Sequence, residues 1–419
     1  LLSRRQRQMC IRDRLEVIDR EEYGNFIMTK HHSFLQTPEM GDVFKERGLE
    51  VIYLALKDDG IMCAALVTSI KVFGGKKFEV NFGPILSDEK NEFNLLSEFF
   101  SKLKTYIKRN GGIQLEISPN IDYKIYDNQY NVSYENDSDL IYTMKKCGFR
   151  HQGFPVGYEK QQSIALWQYV KNISNFTDES LTSSFEKDGI YSLKKANSFG
   201  IKIRNLEYNE LDSFKSLTSS SAQLHNFHDK ELEYYQLFYK YFGEKADFLV
   251  AEIDFSVYRN ELIEKIKELE LKISASTSLK KEKKRKEYEN QIASHKKRLS
   301  EIEQMIKDEK KEKTILSSAI IIYNKFETTY FISGTNDKYR KLYSPYLIQN
   351  EAMKRSIKKE IATYNFYGIS GNFDGTDGIL NFKKHFNGHI VQKIGTFIYY
   401  PNPVKHQTIH TVKKLFGRM

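Results

Sequence analysis

Residues 258–313 read YRNELIEKIKELELKISASTSLKKEKKRKEYENQIASHKKRLSEIEQMIKDEKKEK. Apolar side chains recur at alternating spacings of four and three, from Leu262 to Ile273 and again from Tyr288 to Ile306. This a/d spacing buries one narrow seam and leaves the other helix faces solvated, so the two helices can pack only on each other. The stretch therefore predicts an antiparallel coiled-coil arm over residues 258–313.

The sequence on both sides of the arm predicts a mixed α/β chain. Phe248–Ile253 precedes the arm and Ile315–Tyr323 follows it, and both are rich in β-branched or aromatic residues. Upstream, strands and turns alternate up to an amphipathic helix at residues 91–108, after a helix-like start within residues 15–57. A second order of helices and strands, with a helix predicted at 180–197, runs from residue 180 to residue 371. The repeated order suggests an internal duplication of one α/β unit.

Composition limits the classes of protein that the chain can represent. With 419 residues, 40% of them hydrophobic, the chain can form two domains with real cores. No apolar run reaches the ~18 residues that a membrane span needs, and no secretory signal follows the start. Cys10, Cys63 and Cys147 are scattered and show no metal-binding or disulfide spacing. We expect a cytoplasmic protein with neither a zinc site nor a disulfide framework.

The first fourteen residues, LLSRRQRQMCIRDR, differ in composition from the rest of the chain. They hold five of its sixteen arginines, whereas the remainder prefers Lys, Asn and Ile. The stretch resembles translated sequencing-adaptor sequence, so we predict that residues 1–14 are not native and that the natural chain begins near Leu15. The alternative is a basic tail that binds nucleic acid. Without this segment the net charge falls from +10 to +6, which still favours a polyanionic partner.

Several short segments, in order and spacing, resemble the FemABX peptidyltransferases over roughly residues 15–412. They are Phe34-Leu35-Gln36-Thr37, Phe82-Gly83-Pro84-Ile85, Lys145-Lys146-Cys147-Gly148-Phe149, Lys194-Lys195-Ala196, Glu233-Tyr234-Tyr235, the run from Tyr343 to Glu351, Gly368-Ile369 and Phe382-Lys383-Lys384-His385-Phe386.

The resemblance implies an α/β fold with two GNAT-like domains and the coiled-coil arm inserted in the second. The first domain would span residues 15–165, with a C-terminal return at about 390–412, and the second would span 166–389. Members of this family move an amino acid from aminoacyl-tRNA to the stem-peptide amine of a peptidoglycan precursor. The arm indicates the FemA, FemB and MurM branch, which acts on lipid II in interpeptide bridge synthesis. The resemblance implies no cofactor beyond the aminoacyl-tRNA co-substrate.

Site residues carried over from the family are few. Lys383 stands at the position of the lysine implicated in stabilising the transition state, although composition alone would favour a solvated helix lysine. Lys45, Lys230 and Tyr234 fall at precursor-binding positions, where lysine for arginine at 230 departs from the family and loses bidentate phosphate recognition. Asp374 and Asp377 are candidate general bases, although Asp-Gly pairs usually form turns.

Two basic segments suggest further partners. The second arm helix begins with cations that could contact tRNA phosphates, although such runs are usually solvated helix faces. These residues are Lys280, Lys281, Lys283, Lys284, Arg285 and Lys286. The tail at 401–419 is basic and amphipathic, which fits either a capping helix or peripheral contact with the cytoplasmic membrane face. Pairing with a second copy or a paralogue is the alternative use of the arm.

Two other functions compete with aminoacyl transfer. A GNAT-type enzyme that uses acyl-CoA needs a Gly-rich pyrophosphate loop at a helix start, and the sequence holds none. A non-catalytic RNA-binding or scaffold protein would use the arm but would not need the Phe382–Phe386 segment.

Overall fold

The computed structural model of the protein describes residues 14–87, 92–136, 139–158, 164–225, 228–275, 282–309 and 313–415. Within these residues the strands form two sheets, of eight and nine strands. The strands are β1 Arg14–Ile18, β2 Glu50–Lys57, β3 Ile61–Val72, β4 Gly75–Asn81, β5 Ile85–Leu86, β6 Gly112–Ser118, β7 Asp122–Tyr126, β8 Val132–Glu135, β9 Arg150–His151, β10 Trp167–Asn172, β11 Lys202–Asn205, β12 Ala246–Asp254, β13 Lys313–Tyr323, β14 Glu327–Thr335, β15 Thr363–Gly368, β16 His389–Lys393 and β17 Phe397–Tyr399.

The helices cover the sheets and form the arm. They are α1 Arg20–Ile27, α2 Pro38–Glu46, α3 Glu92–Arg109, α4 Leu140–Lys146, α5 Lys187–Asn197, α6 Leu211–His225, α7 Leu232–Phe242, α8 Phe255–Ser274, α9 Glu282–Glu309, α10 Ser344–Lys358, α11 Gly378–Lys384 and α12 Pro403–Leu415. None of the helices in the described part of the chain is both long enough and apolar enough to cross a membrane.

Both sheets follow one topology. The first has the order β1-β2-β3-β4-β6-β17-β9, with β5 beside β3, and the second has the order β11-β12-β13-β14-β15-β10-β16-β7-β8. In each sheet the first four strands are antiparallel to their neighbours, and the fourth is parallel to the fifth. The parallel pairs are β4 with β6 and β14 with β15, and a helix connects the two strands of each pair. This equivalence supports the internal duplication that the sequence suggests.

The two halves exchange strands near the C-terminus. Strand β16 pairs with β10 and β7 in the second sheet, and β17 pairs with β6 and β9 in the first. The segment between them crosses from one sheet to the other, where Ile394 N donates to Ile121 O and Ser118 Oγ lies 2.8 Å from Thr396 Oγ1. Strand β17 thus joins the first sheet, whereas β16 joins the second.

The predicted domain boundaries remain a prediction, and the sheets divide the chain differently. Strands β7 and β8 fall within residues 15–165 yet belong to the second sheet. The reason is that β16 offers β7 a pairing edge in that sheet.

Two local predictions need correction. The described part of the chain begins with strand β1, which pairs with β2, and the predicted helix-like start is helical only in α1, from Arg20 to Ile27. The helix predicted at 180–197 is a 3-10 turn at Leu181–Ser184 followed by α5, since Phe185 is extended and buried. Residues 1–13, and with them most of the segment predicted to be non-native, lie outside the described part of the chain.

The arm connects two strands that already neighbour each other. Asp254 at the end of β12 is paired with Lys313 at the start of β13, so α8 and α9 extend from a hairpin connection. The base of the arm packs on the second unit through Tyr258, Leu262 and Ile302. Farther out, Ile266, Leu269 and Ile292 form a separate seam, as the a/d spacing predicts. The distal arm therefore shares little of its core with the rest of the protein.

The Phe34–Thr37 motif is structural. The buried Gln36 amide donates to the carbonyls of Leu66 and Asn81 and accepts from Leu66 N, which ties it to two strands of the first sheet. Thr37 caps α2 by accepting from Met40 N. The motif thereby fixes the direction of α2, which packs on α7 of the second unit.

Candidate active site

Lys383 is buried on the inner face of α11, with 4% of its surface exposed. Its ammonium donates to Gly368 O at 2.6 Å and to Tyr367 O at 3.3 Å, both at the end of β15. Burial lowers the pKa of Lys383 from 10.5 to about 7, and the charge of Asp377 opposes this shift only in part. The solvated lysine that composition favours is therefore excluded.

Asp377 caps α11 and fixes the position of Lys383. Its carboxylate accepts hydrogen bonds from Ile379 N and Leu380 N, from the backbone and hydroxyl of Ser370, and from the Tyr158 hydroxyl. Burial alone would raise the pKa of Asp377, but these hydrogen bonds lower it. A carboxylate with this many donors is a weak base, so Asp377 acts as a helix cap.

Asp374 has a similar local role on the surface. It accepts from the Thr376 backbone and hydroxyl and from the Asn372 amide, and the Thr376 hydroxyl is the main cause of its lowered pKa. This is the turn geometry expected of an Asp-Gly segment. Neither candidate base therefore shows the raised pKa that general base catalysis would favour.

An aromatic chain leads from Lys383 to the surface between the units. Tyr367, whose carbonyl accepts from Lys383, lies with its ring 5.7 Å from that of Phe331. Phe331 contacts Phe238 of α7, and Phe238 contacts Tyr234 one turn earlier. The path is therefore continuous from the buried lysine to the beginning of α7.

Two cations lie close to the Tyr234 ring at the far end of this path. The Arg47 guanidinium carbon is 5.1 Å from the centre of its ring, and Lys230 Nζ is 5.9 Å from it. Burial and the charge of Arg47 both lower the pKa of Lys230. We call Arg47, Lys230 and Tyr234 the cationic cluster. Its two cations suit a dianionic or diphosphate group.

Asp229 holds the chain that carries Lys230. Its carboxylate accepts from Lys215 Nζ, from the hydroxyls of Thr218, Ser219 and Tyr235, and from Lys230 N. Burial by itself raises the pKa of Asp229, whereas these donors lower it overall. Asp229 is therefore a positioning residue for the cationic cluster.

The structure brings Lys230 and Tyr234 together, connects them to Lys383 only through the aromatic chain, and gives Lys45 a different setting. Lys45 is exposed in the last turn of α2, and the contact with Tyr234 is made by Arg47, two residues later. Arg47, Tyr367 and Asp229 were missed in the sequence. The available signal for Arg47 was its place at the basic end of α2.

The basic residues of the arm lie far along it. Lys283, Lys284, Arg285 and Lys286 are exposed in the first turns of α9, and Arg285 pairs with Glu289 at 3.2 Å. Lys280 and Lys281 lie outside the described residues. Contact of this group with tRNA stays a prediction.

A surface cavity of about 380 Å³ lies on the other face of α11. Its lining is polar and excludes both Lys383 and the cationic cluster; it consists of Asn128, Gln129, Glu186, Asp188, Asn381, Lys384 and His385. We therefore place the candidate active site on the inner face of α11.

The fold is that of the solved structure of FemX. That structure matches 94% of this chain and 99% of its own, with a TM-score of 0.73 and 21% identity. The predicted fold class, α/β with two related units, is confirmed.

The chain belongs to the FemAB family, whose model matches residues 18–414. The aminoacyltransferase FemA of Staphylococcus epidermidis is 26% identical over 95% of this chain and 96% of that protein. FemA of Staphylococcus aureus (strain MRSA252) is 27% identical over 95% of this chain and 98% of that protein. The predicted family and enzyme class, aminoacyltransferase, are confirmed.

Lys383 should give the protein a measurable pH dependence of stability. Between pH 7 and 10.5 the folded state binds fewer protons than the unfolded state, because burial lowers the pKa of Lys383. Lys383→Met carries no ammonium at this position and so avoids the free-energy cost of burying a charge. We expect the free energy of unfolding of the variant, minus that of the wild type, to be highest below pH 7. This advantage should fall by on the order of 4 kcal/mol toward pH 10.5.

Chemical denaturation across this pH range measures the difference. Lys384→Met is the matched control, since it removes the neighbouring ammonium from a partly exposed position. A pH-independent difference between Lys383→Met and wild type would mean that Lys383 is not desolvated.

Asp229→Asn should loosen the segment before α7. The change leaves Lys215 without its anionic partner and converts one acceptor oxygen into a donor facing other donors. We expect the free energy of unfolding to fall by about 1–3 kcal/mol, whereas Ser219→Ala, which removes one donor, should cost no more than about 1 kcal/mol. Equal effects in urea denaturation would show that Asp229 does not hold this segment.

Proposed function

We propose that the protein is a tRNA-dependent aminoacyltransferase of interpeptide bridge synthesis. It would transfer Gly, Ala or Ser from aminoacyl-tRNA to the stem-peptide amine of a peptidoglycan precursor, with lipid II as the acceptor. The observation that carries the proposal is Lys383, a buried ammonium connected by aromatic side chains to a cationic cluster, in a chain of the FemAB family.

The chemistry needs no nucleophile from the protein. The acceptor amine attacks the ester carbonyl, a C–N bond forms, and the ester C–O bond breaks. The amine proton ends on the ribose hydroxyl of the departing tRNA. The intermediate carries an oxyanion, and a cation in a water-poor site stabilises such a charge more strongly than one in water. Lys383 fits this role, since two carbonyls and the Asp377 cap fix its position.

The cationic cluster would hold the precursor. Lysine at position 230 provides a point charge, whereas a guanidinium gives two parallel hydrogen bonds to phosphate. Arg47 lies over the same Tyr234 ring and offers that fork. The replacement of arginine at 230 is thus offset by an arginine from the other unit, which supports diphosphate binding across the interface.

The arm and the C-terminal helix would contact larger partners. The exposed cations of α9 suit tRNA phosphates, while α12 suits the surface of the membrane in which lipid II lies. Within α12, the exposed Val404 and Lys405 of its first turn fit this contact. Pairing of two subunits through the arm is the competing use of the seam.

Transfer of labelled amino acid tests the proposal directly. The full chain is incubated with lipid II and with tRNAs charged with Gly, Ala or Ser, and with acyl-CoA donors in parallel. We expect transfer from at least one charged tRNA and none from acyl-CoA. Lys383→Met should lower the rate constant by about 10²–10³, as expected for loss of an oxyanion-stabilising group.

Lys384→Met is the control and should retain the wild-type rate. Transfer from acyl-CoA alone, or from no donor, would overturn the proposal. Full activity of Lys383→Met would leave the reaction standing but remove Lys383 from it.

The arm should matter for the tRNA and not for the fold. Replacing residues 268–296 with a short Gly/Ser loop removes the distal seam while keeping the base contacts of Tyr258, Leu262 and Arg298. We expect the unfolding midpoint of the rest of the protein to be nearly unchanged. The KM for full-length charged tRNA should rise several-fold.

A short aminoacyl-minihelix donor provides the control, because it would not reach the arm and should be used equally by both proteins. Unchanged use of full-length tRNA, together with a loss of self-association, would assign the arm to subunit pairing.

A further inference from the structure

One end of the first sheet exposes apolar side chains. The turn between β3 and β4 carries Phe73, which is 65% exposed, and Ile70 just before it is 48% exposed. Such side chains are normally scattered singly on a protein surface. Here two of them share one hairpin tip, flanked by the exposed Lys71.

Two other elements end beside this tip. Gly74 packs against Ile409 and Lys405 of α12, which places the helix next to the turn. The neighbouring Val404 is 75% exposed. Lys76 N donates to Gly111 O at 2.9 Å, and this hydrogen bond places the basic C-terminal end of α3 beside the hairpin. We call the group formed by Ile70, Lys71, Phe73, Val404 and Lys405 the hairpin-tip surface.

The sequence around the tip is mainly basic. Residues 61–78, 99–115 and 378–419 contain no Asp or Glu, and these stretches include the hairpin tip, the end of α3 and all of α12. Glu50 pairs with Lys76 at 2.6 Å, and Lys77 pairs with Glu79 and Glu116. The exposed cations beside the apolar tip are therefore Lys71 and Lys405, with Lys108 and Arg109 at the end of α3.

We propose that the hairpin-tip surface docks on an anionic lipid bilayer, with Phe73, Ile70 and Val404 entering the headgroup region. The cations around them meet the lipid phosphates. A nucleic acid would satisfy the charge but would leave the apolar side chains exposed, whereas a bilayer satisfies both. This inference rests on the proposed function only in the choice of a lipid-linked acceptor.

Docking through the hairpin tip would set the distance between the reaction site and the lipid surface. Strand β4 runs from the tip at Gly75 to Asn81, whose carbonyl accepts from Gln36 beside Phe34. At ~3.3 Å per residue the strand spans about 20 Å. Phe34 contacts Tyr367 and Phe331 of the aromatic chain. The docked enzyme would thus hold its reaction site on the order of 20 Å above the lipid surface, within reach of a headgroup that projects from the bilayer.

Vesicle co-sedimentation tests the docking without any acceptor. The full chain is mixed with phosphatidylcholine vesicles that contain phosphatidylglycerol, and with pure phosphatidylcholine vesicles. We expect binding to the first only, and weaker binding at high salt. Phe73→Ser should weaken binding about tenfold, and Lys71→Gln about fivefold.

Val17→Ser is the matched control, since Val17 is 61% exposed on the outer strand β1 and lies outside the hairpin-tip surface. Wild-type binding by Phe73→Ser, or equal loss in Val17→Ser, would overturn the proposal. So would a change in self-association of Phe73→Ser without a change in vesicle binding, because the tip would then pair two copies.

Transfer assays separate this inference from the proposed function. With a water-soluble acceptor that carries the same stem peptide, Phe73→Ser should react like wild type. With an acceptor embedded in vesicles it should lose activity in proportion to its binding. Absence of transfer in every protein would reject the proposed function and leave the vesicle result to be judged alone.

Discussion

The arrangement of the two halves depends on crossings of the chain between the two sheets, of which the one near the C-terminus joins β16 to β17. Strand β16 completes the second sheet, and after residues 394–396 the chain enters the first sheet as β17. Hydrogen bonds at Ile394 and Thr396 fix the crossing to Ile121 and Ser118. Because two consecutive strands, β16 and β17, are built into different sheets, one half cannot shift without moving the other. The packing of α2 on α7, and with it the approach of Arg47 to Tyr234, follows from this constraint.

Rigid placement also explains how a lysine can be kept in a desolvated site. Burying an ammonium without a counter-ion at close range costs free energy. Here the hydrogen bonds of Lys383 to two backbone carbonyls offset part of this cost, and the capped helix holds the side chain in place. In the proposed reaction, an anionic intermediate beside Lys383 would stabilise this buried charge. The proposed role would therefore make opposite demands of stability and activity on this residue.

The sequence predicted the parts governed by local periodicity. The arm was evident because a two-helix seam repeats every few residues, and strands such as β12 and β13 were evident because they are continuous apolar runs. Strands β7 and β8 were missed, because their residues lack an alternation of buried and exposed positions and β7 pairs with β16, which lies more than 250 residues away. Distance along the chain also hid Arg47, whose contact with Tyr234 exists only after both units have packed. The Phe382–Phe386 motif singled out Lys383 in the sequence. Its burial could not be predicted from that segment, because it depends on packing against the end of β15.

The strand exchange also governs the order in which the protein can fold during synthesis. The first sheet occupies the N-terminal part of the chain, yet β17, which lies between β6 and β9, comes from residues 397–399. During synthesis, one edge of β6 and of β9 stays unpaired until β17, near the end of the chain, has left the ribosome. Unpaired edges are sites of misassociation. The N-terminal half is thus expected to need chaperone protection during translation, and a gene cut at the midpoint would leave neither sheet complete.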